Sequence, residues 1–166
     1  MKIATTVLLV AMIFIAGCAT SISPDTQNSS ERWLWHGRLA VKVAADPGRS
    51  PARHFAGEFS LSGNATTGRL DLYTPLGITV ASLSWTPSLA LLRSQGDVHS
   101  FGSLDALVRQ TLGTEVPVTA LFGWLAGEST DVAGWSVDLS EQSSGRIVAR
   151  QTGPHEAAEI RLIIEP

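Results

Sequence analysis

The sequence predicts a mainly β fold of the α+β class, in which a curved antiparallel sheet carries two short helices on its apolar face. Apolar and polar residues alternate along most segments between residues 33 and 101, which is the pattern of half-buried strands. Between residues 104 and 125 the apolar residues recur at helical spacing instead. No crossover helices separate the early strands, so these strands cannot form a parallel sheet.

Four strands are predicted before residue 86. The first covers residues 33–43, whose odd-numbered positions are apolar, and the next two lie around residues 55–61 and 70–73. The fourth covers residues 78–85, but its apolar positions change from even to odd numbers along the segment. Such a change predicts a β-bulge or burial on both faces.

The middle of the chain predicts a hairpin followed by the two helices. Residues 89–94 and 97–101 flank a Gln-Gly turn. Ser103 is the expected N-cap of the first helix, Gly113 its expected end, and the second helix ends before Gly127.

Three shorter strand patterns complete the chain, at residues 135–139, 146–151 and 158–164. All the strands then belong to one antiparallel sheet, and a strongly bent sheet does not close fully over two short helices. The gap left between sheet and helices is a possible ligand pocket.

Residues 1–17 have the layout of a secretory signal peptide, with Lys2 before an apolar run that is shorter than the roughly 20 residues of a membrane span. Cys18 is the only cysteine and directly follows two small residues. This arrangement resembles a bacterial lipobox, and the resemblance implies cleavage before Cys18 and lipidation at that residue. The alternative is an ordinary signal peptide with a buried free cysteine.

Three segments follow from this interpretation: a signal peptide at 1–17, a lipidated N-terminus and flexible tether at 18–30, and one folded domain at 31–166. The tether is small and polar with one proline, as in flexible linkers. Ala19 follows the cysteine where bacterial lipoproteins kept in the inner membrane carry Asp. We therefore expect a protein in the outer membrane, lipid-anchored on the periplasmic side.

Composition and motifs argue against several functional classes. The net charge is −3, so no basic face is expected to bind nucleic acid. The four histidines are scattered, and the chain contains no HExxH, GxSxG, CxxC or phosphate-loop pattern. We therefore expect no catalytic residue, metal or cofactor, and a protein that is not an enzyme. The enzyme alternative predicts a polar cleft with converging titratable groups.

Four parts of the chain carry a resemblance to a known family. They are Trp35-His36-Gly37-Arg38-Leu39-Ala40-Val41, Gly57-Glu58-Phe59-Ser60-Leu61, Leu70-Asp71-Leu72-Tyr73-Thr74-Pro75-Leu76-Gly77, and Val116-Pro117-Val118 with Trp124-Leu125-Ala126-Gly127. In this order behind a lipobox, they resemble the LolB family of outer-membrane lipoprotein receptors. The resemblance extends over roughly residues 33 to 127. It implies an unclosed half-barrel of antiparallel strands with a short helical lid and an apolar interior, as in LolA and LolB.

The resemblance also implies a function. LolB-like proteins accept acylated lipoproteins from the soluble periplasmic carrier LolA and release them into the outer membrane without nucleotide hydrolysis. The implied partners are LolA, the acylated cargo and outer-membrane lipid, and the implied state is a monomer.

The family carries a protruding leucine in a Pro-Leu-Gly turn that is needed for delivery into the bilayer, and Leu76 matches it here. Pro75 fixes one side of this turn and Gly77 tolerates unusual dihedral angles, so the side chain between them is expected to point outward. The alternative interpretation is that single exposed leucines are normal on protein surfaces.

The apolar strand faces and the second helix supply the predicted lining of an acyl-chain cavity. These residues are Trp35, Leu39, Val41, Phe59, Leu61, Leu70, Leu72 and Val80 on the strands, with Leu121, Trp124 and Leu125 in the lid. The alternatives are a lipoprotein that binds another lipid or apolar ligand, and an envelope scaffold in which the same residues form a solid core.

Overall fold

The computed structural model of the chain describes residues 33–45, 48, 51–112, 115–151 and 157–165. The predicted signal peptide, Cys18 and the tether lie outside the described residues, as does the predicted helix end at Gly113.

The described residues form nine strands and two α-helices. The elements are, in chain order, β1 (Trp33–Val43), β2 (Arg53–Gly63), β3 (Gly68–Tyr73), β4 (Thr79–Thr86), β5 (Leu89–Ser94), β6 (Asp97–Phe101), α1 (Leu104–Leu112), a 3-10 turn (Val118–Ala120), α2 (Leu121–Leu125), β7 (Trp135–Asp138), a second 3-10 turn (Gln142–Ser144), β8 (Arg146–Gln151) and β9 (Ala158–Ile164). All the predicted strands and both helices are therefore present, with ends that differ by one or two residues at several strands.

The nine strands form one antiparallel sheet in the order β6-β5-β4-β3-β2-β1-β9-β8-β7. The last strand, β9, pairs with β1 and so joins the C-terminal strands to the N-terminal ones. The edge strands β6 and β7 do not pair with each other, so the sheet is an unclosed half-barrel, as predicted.

The predicted irregularity in the fourth strand is a β-bulge at Val80. Leu72 pairs with Ala81, but Tyr73 pairs with Thr79, so Val80 has no partner on β3. The extra residue changes which side chains face inward along β4. Beyond the bulge, the odd-numbered residues Leu83 and Trp85 are buried.

The two helices cover the inner face of the sheet. Ser103 caps α1, because its hydroxyl oxygen accepts a hydrogen bond from the amide of Ala106 at 3.1 Å. Leu107 and Val108 on α1 are buried, as is most of α2. Within the part of the chain that the structure describes, no helix is long and apolar enough to cross a bilayer.

Contacts with the C-terminal part of the sheet hold the helical segment in place. The indole Nε1 of Trp135 donates a hydrogen bond to the carbonyl oxygen of Glu115 at 3.1 Å, and its ring lies 6.4 Å from that of Trp124. The side-chain amide of Gln142 donates to the carbonyl oxygen of Leu125 at 2.9 Å. The helices form a lid, in which α2 is anchored next to β7 and α1 lies against β5 and β6.

Candidate functional site

An apolar cavity of about 120 Å³ lies between the inner face of the sheet and the lid. Its sheet side consists of Leu39, Val41, Phe55, Leu70, Leu72, Ala81, Leu83, Leu92 and Ile160, and its lid side of Leu107, Val108, Thr111, Leu112, Val116, Val118 and Leu121. The surface that faces the cavity is apolar, and none of the described residues that line it has a titratable side chain. Such a site can hold hydrocarbon.

Part of the predicted lining faces this cavity. Leu39, Val41, Leu70 and Leu72 lie on its sheet side, and Leu121 lies on its lid side. The four strand residues come together because β1 and β3 lie near the centre of the sheet, on either side of β2.

Other predicted lining residues form solid core instead. Phe59, Leu61, Trp124 and Leu125 are at most 2% exposed and do not line the cavity. They have the expected inward orientation, but neighbouring side chains fill the space around them. Trp35, which is opposite Leu61 in the β1–β2 pair, packs against this core and also lies outside the cavity.

Val80 does not face the cavity either, and the bulge explains this difference. As the extra residue of β4, it lies in a surface groove with Ala81 and Arg93. Ala81 also lines the cavity, whereas Val80 does not. The sequence alternation indicated a bulge but not which residue it would displace.

Sequence reasoning also missed several residues that line the cavity. Phe55, Leu83 and Leu92 carried a usable signal, because they are apolar residues of predicted strands. The sequence predicts that both helices cover the sheet, but the predicted lining did not include Leu107 and Leu112 on the apolar side of α1.

The cavity is small for its proposed use. Sites that bind drug-sized ligands measure roughly 300–1,000 Å³, whereas this one measures about 120 Å³. The space between sheet and lid is therefore smaller than the usual site for a ligand of that size.

One hydrogen bond holds the end of α1 near the sheet. The guanidinium Nη1 of Arg53, at the start of β2, donates to the carbonyl oxygen of Thr111 at 2.7 Å. Phe55 and Thr111 both line the cavity, so this bond lies at its border. The bond adds to the packing of Leu107, Val108 and Leu112, which also hold α1 against the core.

The second part of the site is the surface loop between β3 and β4, residues 74–78. Leu76 is 87% exposed at its tip, and Ile78, which the sequence reasoning did not single out, is 63% exposed. Thr74 organises the loop: its amide donates to the carbonyl oxygen of Ile78 at 2.8 Å, and its carbonyl accepts from the amide of Gly77 at 2.9 Å. Gly77 has a φ of +77°, which a glycine adopts without strain.

A polar cluster lies on the outer face of the sheet. Its residues belong to β3 and β4, the two strands that this loop connects. Arg69 Nε donates to the carboxylate of Asp71 at 2.6 Å, and the hydroxyl of Ser82 donates to the same carboxylate. Burial raises the pKa of Asp71, but the hydrogen bonds from Arg69 and Ser82 outweigh it, so this pKa lies below its ordinary value. This cluster connects β3 to β4 and lies away from the cavity lining.

The described part of the chain was searched for side chains that could bind a metal ion. No group of three or more His, Cys, Asp and Glu side chains is placed there to hold a metal ion.

Comparisons with known proteins identify a family and several relatives. A family model described as "Outer membrane lipoprotein LolB" matches residues 31–159. Three relatives are named "Outer-membrane lipoprotein LolB". The one from Bordetella pertussis is 33% identical, over 95% of this chain and 89% of its own. The one from Shewanella loihica is 30% identical, over 92% of this chain and 70% of its own. The one from Bordetella petrii is 29% identical, over 90% of this chain and 86% of its own.

Proposed function

The chain belongs to the LolB family of outer membrane lipoproteins, and on that premise we propose that it is a lipid-anchored receptor for lipoproteins. In this proposal it accepts acylated cargo from the periplasmic carrier LolA and inserts it into the outer membrane. It acts as a monomer and hydrolyses no nucleotide. Cys18 carries its own anchor, and residues 18–30 are the tether that joins the anchor to the half-barrel.

The apolar cavity beneath the lid is the observation that carries the proposal. Burial is worth about 0.8 kcal/mol per methylene, so exposing one long acyl chain to water costs on the order of 10 kcal/mol. An acylated lipoprotein therefore cannot cross the periplasm by free diffusion at a useful rate. It must pass directly from one apolar site to another and then to the bilayer.

Such a transfer needs no chemical step in this protein. Each receiving site only has to bind the acyl chains better than the previous one, because differences in affinity alone shift the populations. A cavity without titratable groups suits this role.

Movement of the lid enlarges the cavity so that it can hold the acyl chains of the cargo. In the closed arrangement the cavity measures about 120 Å³, so the acyl chains must displace α1 and α2 from the sheet. The bond from Arg53 to Thr111 is at the end of α1 and breaks as this end of the lid opens.

The loop around Leu76 makes the contact with the bilayer. Burying one leucine side chain contributes about 1.5–3 kcal/mol. A contact of that strength is weak and reversible, so it brings the cavity to the membrane during delivery without adding a permanent anchor.

The test is to replace Leu76 with Glu and to measure transfer of a radiolabelled lipoprotein from the carrier into outer-membrane vesicles. We expect the variant to fold and to take up cargo that then stays bound. Leu34→Glu is the matched control, because Leu34 is 61% exposed at the other end of the sheet. Normal delivery by Leu76→Glu would contradict the insertion mechanism, and copurification of free lipid without lipoprotein would contradict the receptor function.

A further inference from the structure

The cavity beneath the lid reaches the surface at one end of the half-barrel. Most of the residues that line it are buried, but some are partly or fully exposed, namely Phe55, Leu72 and Ala81 on the sheet and Thr111 and Leu112 on α1. On the sheet they lie near the start of β2, the end of β3 and the start of β4, and on α1 they are the last two residues. These strand ends meet at the same edge of the antiparallel sheet. We call these exposed lining residues the mouth.

The 74–78 loop begins and ends beside the mouth, because it connects the ends of β3 and β4 that contribute to it. The register shows which face Ile78, the last residue of this loop, occupies. Leu72 lines the cavity, so the next residue, Tyr73, faces outward, as does its partner Thr79. Ile78 precedes Thr79 and therefore lies on the inner face, on the same side of the sheet as the mouth.

Ile78 is an apolar side chain that the fold leaves in solvent at this position. It is 63% exposed and lies outside the apolar core of the described residues. The amide of Thr74 donates a hydrogen bond to its carbonyl oxygen at 2.8 Å, which continues the pairing of β3 and β4 by one residue. Leu76, two residues earlier, is 87% exposed. Apolar surface therefore continues from the mouth to Ile78 and on to the tip of the loop.

The release of an acyl chain needs such a surface. A strand advances about 3.3 Å per residue, so Ile78 and Ala81 are separated by at most about 10 Å. An acyl chain that leaves the mouth on this side crosses that distance before it reaches the bilayer. Each methylene that it exposes to water on the way slows release by about fourfold. An apolar side chain along the route reduces this exposure.

We propose that the acyl chains of the cargo leave through the mouth and pass over Ile78 to the bilayer that Leu76 contacts. This inference rests on the proposed receptor function and adds the exit route and a second residue for the release step. Ile78 contacts the acyl chain in transit, whereas Leu76 contacts the bilayer. Because Ile78 lies outside the cavity, it affects the rate of release and not the amount of cargo that the protein holds.

The kinetic test uses the full chain, as it is processed by the cell, in phosphatidylcholine vesicles. It is loaded from the carrier with a lipoprotein that bears tritiated palmitate, and affinity capture at successive times separates receptor-bound cargo from cargo in the lipid. We expect Ile78→Ser to bind as much cargo as the parent and to release it more than tenfold more slowly, which corresponds to two additional exposed methylenes. Ile78→Leu retains an apolar side chain and should release cargo as the parent does.

Val98→Ser is the matched control, because Val98 is also an exposed aliphatic residue, at 57%. Val98 pairs with Arg93, and Arg93 pairs with Ser82. Residues that are directly opposite each other share a face, so Val98 lies on the outer face with the polar cluster. It is away from the mouth, and its replacement should leave the release rate unchanged.

A photoreactive group distinguishes contact with the acyl chain from contact with the bilayer. Ile78→Cys and Val98→Cys are each labelled with a benzophenone maleimide; Cys18 is the only other cysteine, and in the proposed protein it is lipidated. Irradiation during release should attach tritiated palmitate to the protein labelled at position 78. The protein labelled at position 98 should remain free of tritium.

Several results would overturn the exit route: release of cargo by Ile78→Ser at the parental rate, equal slowing in Val98→Ser or Ile78→Leu, or no tritium at position 78. If the parent delivers cargo in the same experiment, any of these results leaves the receptor function intact. A parent protein that takes no lipoprotein from the carrier would instead refute the receptor function, and the exit route with it.

Discussion

The hydroxyl oxygen of Thr74 accepts a hydrogen bond from the backbone amide of Leu76, at 3.3 Å, and a second from the amide of Ile78, at 3.2 Å. One side chain therefore binds two amides of a loop whose tip is in solvent. A tip that is ordered in advance loses less conformational entropy when it contacts a bilayer. This relationship makes Thr74 a positioning residue for Leu76.

Replacing Thr74 with Val should weaken delivery although Leu76 remains in place. Valine has nearly the same shape but cannot accept either hydrogen bond, and each such bond contributes about 0.5–1.5 kcal/mol. We expect slower cargo transfer to vesicles and faster hydrogen exchange at the amides of Leu76 and Ile78. Thr74→Ser retains the hydroxyl and should behave like the parent, and equal transfer rates for all three proteins would show that loop order is irrelevant.

Filling the cavity should reduce its capacity for apolar ligands. Ala81 lines the cavity, so Ala81→Leu adds three carbon atoms to a space of about 120 Å³. We expect the affinity for an apolar fluorescent dye to fall at least about fivefold, which corresponds to roughly 1 kcal/mol, with no loss of folding stability. The measurement is a fluorescence titration together with urea unfolding.

The neighbouring residue provides the control for this experiment. Val80 does not line the cavity, so Val80→Leu should leave the dye affinity unchanged. If both variants bind the dye as the parent does, the dye site is not this cavity.

Val80 and Ala81 also show how much of the site could be predicted from the sequence. Alternation located the strands and indicated the bulge, because backbone geometry imposes a period of two on half-buried strands. It could not decide that Val80 rather than Ala81 is the extra residue, since both are apolar and compatible with either face. That choice depends on the register between β3 and β4, which is a tertiary property.

The sequence predicted which residues face inward better than it predicted which of them line the cavity. Leu39 and Leu61 both face inward, yet Leu39 lines the cavity and Leu61 is fully buried in the core. The difference arises from where the helices cover the sheet, and no local pattern contains that information. By contrast, the exposure of Leu76 followed from the chemistry of its own turn, because Pro75 and Gly77 act on neighbouring residues.

The cluster of Asp71, Arg69 and Ser82 should make stability depend on pH in the acid range. Because the pKa of Asp71 is lower in the folded protein than its unfolded value of about 3.9, its stabilising contribution is fully present above that value. The contribution is lost as pH falls through the lower, folded pKa. Asp71→Asn should therefore cost about 1–3 kcal/mol at pH 7 and progressively less below about pH 4.

Urea unfolding of both proteins from pH 7 to pH 2.5 would measure this dependence. Asp138→Asn is the control, since Asp138 also has a lowered pKa through its hydrogen bonds with Ser140 but is fully exposed. It should change the unfolding midpoint less than Asp71→Asn does. A constant difference between parent and Asp71→Asn at every pH would exclude an ionised Asp71 as the cause.

A glycine allows the close pairing that joins the two parts of the sheet. Gly37 on β1 has a φ of +153°, and a β-carbon at this position would lie 2.0 Å from the carbonyl oxygen of Ile163 on β9. The obstacle is backbone, so it cannot move without separating the strands. Gly37→Ala should destabilise the protein by about 1–3 kcal/mol and should accelerate hydrogen exchange in β9 more than in β5. Gly102→Ala is the control, because nothing lies within 4 Å of the β-carbon there, and an equal loss of stability in both variants would contradict this account of the β1–β9 junction.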